Sequence, residues 1–150
     1  MNTFSWGAVL TVALGILVCL TPHYLFPVCE THIATAAGGA VPMKCFWTAR
    51  ASLGNGGLAV AAGCLLLLSN HAPFRFGVTL MLFFVGLVTI LIPGLLIGVC
   101  ASEIMSCHMG TLPALTLLGL ILMITAVCMA FAARRGMSKS ATASKTGGQA

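Results

Sequence analysis

Four cysteines occur as two pairs in the segments that separate long apolar stretches. Cys29 and Cys45 lie in the first of these segments, and Cys100 and Cys107 lie in the last. Outside the cytosol such pairs usually form structural disulfides, which stabilise a fold by about 2–4 kcal/mol. The simplest prediction is one disulfide per segment, Cys29–Cys45 and Cys100–Cys107. Cross-pairing stays open, because four cysteines allow three connectivities and sequence does not choose among them.

A soft-metal site is a second interpretation of the same segments. Residues 105–109 read Met-Ser-Cys-His-Met. Thiolate and thioether ligands favour Cu(I), and thiolate with imidazole also suits Zn. The ligands of such a site would come from Cys29, Met43, Cys45, Cys100, Met105, Cys107, His108 and Met109. The spacing matches no strong zinc signature, so the expectation is no cofactor, with Cu(I) or Zn as the alternative.

Thiol–disulfide exchange is the third interpretation, and it is the one that would make the protein an enzyme. Two outward-facing cysteine pairs on four helices resemble the arrangement of quinone-linked disulfide-generating membrane enzymes. Lys44 precedes Cys45, and His108 follows Cys107; a nearby cation activates a thiol. Neither pair has the C-x-x-C spacing. The sequence therefore favours a protein without enzymatic activity and assigns no catalytic residue.

The elements that must position these cysteines are membrane helices. Hydrophobic residues make up 59% of the 150-residue chain and charged residues only 6%. Four stretches are long and apolar enough to cross a bilayer as helices. They cover approximately residues 4–21, 51–69, 77–99 and 112–133. The prediction is an all-α, four-helix transmembrane domain over residues 1–133, with no soluble domain.

Basic residues predict the orientation of the helices. The connection between the second and third spans and the tail after the fourth together hold five of them, against two in the other two connections: Arg75, Arg134, Arg135, Lys139 and Lys145, against Lys44 and Arg50. By the positive-inside rule, both termini lie in the cytoplasm and both cysteine segments lie outside. Residues 134–150 are small, polar and basic, which predicts a disordered cytoplasmic tail.

The two halves of the chain resemble each other. Pro22 and Pro93 each open the pattern P-x-x-L-x-x-V-C, and each pattern is followed by M-x-C and then by a threonine, Thr48 or Thr111. This order predicts two helical hairpins that are parallel repeats, related by a pseudo-twofold axis along the membrane normal. Each proline removes a backbone donor, which predicts a helix kink. Gly94 and Gly98 fit G-x-x-x-G, a pattern that permits close helix contact.

The chain resembles a bacterial membrane family known as domain of unknown function 4418. The resemblance is carried by residues 43–51, 91–100 and 111–115, and it extends to about Ala133. The family pattern has His at the position of Phe46 and Glu near Ser52, so both departures remove a polar group and weaken a metal site or proton relay in this loop alone. The resemblance implies four helices in the bacterial cytoplasmic membrane and no established activity.

Partners follow from the composition and the resemblance together. The apolar spans imply contact with the lipid bilayer, and the net charge of +5 is explained by orientation without a nucleic-acid partner. The resemblance also implies an association with ABC-type transporter components, and a homo-oligomer is the other possibility. The combined prediction is a small accessory or scaffold protein with disulfide-stabilised extracytoplasmic loops.

Overall fold

Four long helices form the protein. A computed structural model describes residues 3–25, 32–34, 40–42, 44–97 and 110–147. Helix α1 spans Thr3–Leu20, α2 spans Lys44–Leu68, α3 spans Ala72–Leu91 and α4 spans Leu112–Gly147. The stretches of these helices that could cross a membrane contain 22 to 25 residues each, whereas about 20 suffice to cross the hydrocarbon core of a bilayer. The predicted all-α, four-helix transmembrane fold is confirmed.

Two helices begin earlier than the apolar stretches that predict them. Helix α2 begins at Lys44 and α3 at Ala72, ahead of the predicted starts at residues 51 and 77. Arginine is a good helix former, so Arg50 and Arg75 limit the apolar stretch without ending the helix. Helix α4 also extends past its apolar stretch, through Gly147, where the composition from residue 134 onward predicts a disordered tail.

A short β-hairpin between α1 and α2 was not predicted. Strand β1 spans His32–Ala34, and strand β2 spans Ala40–Pro42. They pair antiparallel with Ile33 opposite Val41. Strands of three residues are too short to show a reliable alternating pattern in a sequence. In the sequence this hairpin lies between Cys29 and Cys45, the first cysteine pair.

Each helical hairpin closes through direct backbone contact at a glycine pair. In the first hairpin, a Cβ added to Gly56 would lie 2.9 Å from the carbonyl oxygen of Gly15. In the second, a Cβ added to Gly119 would lie 2.9 Å from the carbonyl oxygen of Gly86. Small residues permit this approach, which strengthens packing between membrane helices. Gly94 of the predicted G-x-x-x-G pattern instead has open space around it.

The two hairpins pack side by side around an apolar centre. Helix α1 packs mainly on α2, and α3 mainly on α4, with smaller contacts from α2 to α3 and from α1 to α4. The centre contains four fully buried leucines, Leu66, Leu82, Leu115 and Leu122. Large apolar side chains also cover the outside, where Leu68 is 81% exposed. An apolar exterior is what lipid contact requires.

The glycine contacts generate a test with an internal control. Gly56→Ala places a methyl group against the backbone of α1, so we expect the free energy of unfolding to fall by about 1–3 kcal/mol. Gly57 has no neighbour within 4 Å of an added Cβ. Gly57→Ala should leave stability unchanged or raise it by about 0.5–1 kcal/mol, because alanine favours helix. Thermal unfolding in detergent micelles measures both, and equal melting temperatures for the two variants would contradict the contact.

Candidate functional site

Two π-helical segments lie at the end of the bundle where the prolines occur. They span Thr21–Leu25, after α1, and Ile92–Leu96, after α3. Proline cannot donate the usual backbone bond to the residue four positions earlier. The chain widens instead, and the Ile97 amide donates to the Ile92 carbonyl oxygen at 3.1 Å. Such π turns frequently occur at functional sites. The kinks predicted at Pro22 and Pro93 stay predictions.

Buried polar side chains collect beside these turns. We call this region, residues 21–25, 45–52, 92–97 and 110–112, the proline end. Cys45, Thr48, Ser52 and Thr111 are each no more than 2% exposed there. The Ser52 hydroxyl donates to the Thr48 carbonyl oxygen at 2.8 Å, and the Thr21 hydroxyl donates to that of Leu17 at 2.7 Å. Hydroxyls bonded to their own helix can be buried at low cost in a membrane.

Only part of the predicted cysteine and metal site falls within the described residues. Cys45 lies buried at the proline end, in the first turn of α2. The other predicted ligands lie outside the described residues: Cys29, Met43, Cys100, Met105, Cys107, His108 and Met109. In the part of the chain that the structure describes, no three His, Cys, Asp or Glu side chains come together. The disulfide, redox and metal interpretations therefore stay predictions.

An amide inside the membrane connects the hairpins, and the sequence analysis missed it. Asn55 of α2 donates through Nδ2 to the Thr89 hydroxyl at 2.7 Å and to the Val85 carbonyl oxygen at 3.0 Å. The Thr89 hydroxyl donates to that carbonyl at 2.8 Å. Both amide hydrogens are therefore used. The sequence does indicate such a link, because an asparagine in a transmembrane span usually forms a hydrogen bond with a neighbouring helix.

Arginines connect the helices at the opposite end, which we call the arginine end: Phe4 and residues 69–76 and 132–135. The Arg75 guanidinium lies 4.3 Å from the centre of the Phe4 ring, a cation–π distance. Its Nε donates to the Ser69 carbonyl oxygen at 2.7 Å, and its Nη2 donates to Asn70 Oδ1 at 2.8 Å. Arg134 lies 5.1 Å above the ring of Phe76. Arg75 thus joins α1 to the connection between α2 and α3.

Three further cysteines lie within the spans as free thiols: Cys19, Cys64 and Cys128. Cys64 and Cys128 are exposed on the surface that faces lipid. Cys19 lies against α2, where its Sγ is 3.5 Å from the Leu53 carbonyl oxygen. These thiols are separate from the proline-end cysteine and serve below as references in a thiol count.

Structural features recur at matching places in the two hairpins. Gly15 lies as many positions before the first π segment as Gly86 lies before the second. On the return helices, Gly119 follows Thr111 by as many positions as Gly56 follows Thr48. The glycines that make the backbone contacts are thus at equivalent places in the sequence repeat. The pseudo-twofold relation itself stays a prediction.

These features define the class of the protein as a multi-pass, four-helix membrane protein. Its sequence matches the family model described as Domain of unknown function (DUF4418) over residues 11–132. The chain belongs to that family, as the resemblance predicted. Neither the curated proteins nor the solved structures include a match.

The asparagine link can be tested by a double-mutant cycle. Thr89→Val removes the hydroxyl that receives the Asn55 amide, so we expect a loss of about 0.5–2 kcal/mol in the free energy of unfolding. Thr79→Val is the control, because Thr79 is equally buried on α3 while its hydroxyl donates to Phe76 of its own helix. Combination with Asn55→Leu should show coupling for Thr89 and additivity for Thr79. Additivity at both positions would rule out the link.

Proposed function

We propose that this protein is a non-catalytic accessory component of a larger membrane assembly, such as an ABC-type transporter. The observation that carries the proposal is the packed centre of the bundle. Leu66, Leu82, Leu115 and Leu122 are fully buried there, and the glycine pairs bring the backbones of each hairpin into contact. An interior filled in this way supports a structural role rather than a path for a substrate.

The polar groups of the described spans support the same proposal. The hydroxyls of Thr11, Thr21 and Ser52 donate to carbonyl oxygens of their own helices, and Asn55 is bonded across the hairpins. Charged residues in membrane spans usually mark ion or substrate pathways. Within the four described candidate spans, the charged residues lie near the ends, at positions 50, 75, 134 and 135.

The proposed location is the bacterial cytoplasmic membrane, with the arginine end inside. Arg75, Arg134 and Arg135 belong to that end, while Arg50 lies towards the proline end. Basic residues accumulate on the cytoplasmic side. The proline end and both cysteine pairs would then face an oxidising compartment.

In this proposal the cysteines are structural, as two disulfides that hold the outer loops. Cys45 is 1% exposed, so its sulfur lies in the packed end of the bundle. A cysteine that exchanges disulfides needs an accessible thiolate, which burial disfavours. Disulfide-held loops would give a partner subunit a surface of fixed shape. Soft-metal binding and thiol–disulfide exchange are the alternatives that the following experiment separates.

Counting thiols in native membranes tests the structural assignment. The chain has seven cysteines, and three within the spans are free thiols. Denaturation in a mass-tagging maleimide should therefore add three tags, and prior reduction should raise the number to seven. The three-tag count should not respond to added quinone or to a reduced thiol carrier. A count that moves between three and seven with those additions would establish the exchange enzyme.

Metal and partner measurements complete the test. Seven tags without reduction, with Cu or Zn copurifying in proportion to protein and lost on Cys107→Ser, would replace the accessory proposal with metal binding. Extraction in a mild detergent followed by native electrophoresis should show the 15.4 kDa chain in a larger complex that contains a second membrane protein. A complex that contains this chain alone, or a monomer, would overturn the accessory role.

A further inference from the structure

An apolar groove lies between α1 and α4, on the half of the bundle nearest the arginine end. Its volume is about 220 Å³. It is lined by Phe4, Gly7 and Leu10 from α1 and by Ile124, Cys128 and Met129 from α4. Thr125 also borders it, but its hydroxyl donates to the Leu122 carbonyl oxygen at 2.8 Å. The groove therefore presents an almost wholly apolar surface.

At the groove, Gly7 of α1 lets Met129 of α4 pack directly against the helix. Gly7 precedes Pro22 by as many positions as Val78 precedes Pro93, so the two residues are counterparts in the repeat. Val78 is buried in the core. Gly7 has no side chain, and Met129 approaches to within 2.9 Å of where its Cβ would be. The space beside this contact stays open to the lipid.

Positive charge lies at the end of the groove. Phe4 lines it, and the guanidinium of Arg75 lies 4.3 Å from the centre of that ring. Arg75 uses Nε and Nη2 in its two described hydrogen bonds, so Nη1 can donate to another group. Ala132 lines the groove one turn before the exposed Arg135. A guanidinium is well suited to bind phosphate oxygens.

None of the residues that the structure describes is acidic, so no described carboxylate balances this charge. The chain has two acidic residues, Glu30 and Glu103. In the sequence they lie between α1 and α2 and between α3 and α4, and not in the connection between α2 and α3. The site therefore combines an apolar groove with positive charge at one end, and no described carboxylate lies there to balance that charge. A phospholipid with a net negative headgroup is complementary to this site, because its acyl chain matches the apolar groove and its phosphate matches the positive end.

We propose that the α1–α4 groove binds one anionic phospholipid. One acyl chain lies along Gly7, Leu10 and Cys128, and the phosphate meets Arg75 and Arg135 at the mouth. The acyl chain fills the groove beside the contact between Gly7 and Met129. The headgroup neutralises the arginines that the chain itself leaves unbalanced.

Native mass spectrometry of the full-length protein in mild detergent tests the proposal. The probes are dioleoyl phosphatidylglycerol, which is anionic, and dioleoyl phosphatidylethanolamine, which has the same chains and no net charge. We expect one phosphatidylglycerol to bind at least tenfold more tightly than phosphatidylethanolamine. Glycerol 3-phosphate, which lacks the chains, should not displace it. Equal binding of the two lipids, or displacement by glycerol 3-phosphate, would overturn the proposal.

Matched variants locate the site. Cys128→Trp fills the groove and should reduce phosphatidylglycerol binding at least tenfold, whereas Cys64→Trp alters another exposed span cysteine and should have no effect. Arg135→Gln should weaken binding about fivefold, and Arg75→Gln by at least as much. Arg50→Gln is the control, because Arg50 also lies over an aromatic ring but towards the proline end. Losses that are the same in test and control variants would show that the lipid binds elsewhere.

Discussion

Direct backbone contact between two glycines sets the distance between the two helices of each hairpin. At Gly15 and Gly56, and again at Gly86 and Gly119, an added methyl group would meet a carbonyl oxygen of the facing helix. In lipid, apolar side chains gain little by leaving the solvent, so helices associate through close packing and polar links. These contacts make each hairpin one unit. The smaller α2–α3 and α1–α4 contacts, which we call the seams, carry the Asn55 link and the apolar groove.

The number and type of elements followed from the sequence because the bilayer imposes a simple rule. A stretch of about 20 apolar residues must be helical to bond its own backbone, so four such stretches determine four spanning helices. Helix ends were harder to predict from the sequence, because α2 begins at Lys44 and α3 includes Arg75, both outside the apolar stretches. Gly56 could not be separated from Gly54 and Gly57 by composition. Only the helix face decides which of the three meets α1.

The candidate site was less predictable for a different reason. Prolines and cysteines are visible in a sequence, and the sequence repeat drew attention to Pro22, Pro93 and Cys45. The Asn55 link depends on Thr89 of another hairpin, a relation between distant residues that no local pattern records. The π turns were equally hard to predict, because proline lacks a backbone N–H and a helix can respond to this by kinking, by fraying or by forming a wider turn.

The two seams between the hairpins differ at positions that are counterparts in the predicted repeat. Asn55 of the α2–α3 seam has Leu118 as its counterpart on α4, and its partner Thr89 has Val18 as its counterpart on α1. The amide link therefore has no equivalent on the α1–α4 seam, where an apolar groove lies instead. Exposing an apolar groove to water would be unfavourable, but in a membrane the groove contacts lipid instead. A membrane protein can therefore tolerate seams of different structure. The α2–α3 seam thus carries an amide link, whereas at the α1–α4 seam the Thr11 hydroxyl lies 3.9 Å from the thioether sulfur of Met129.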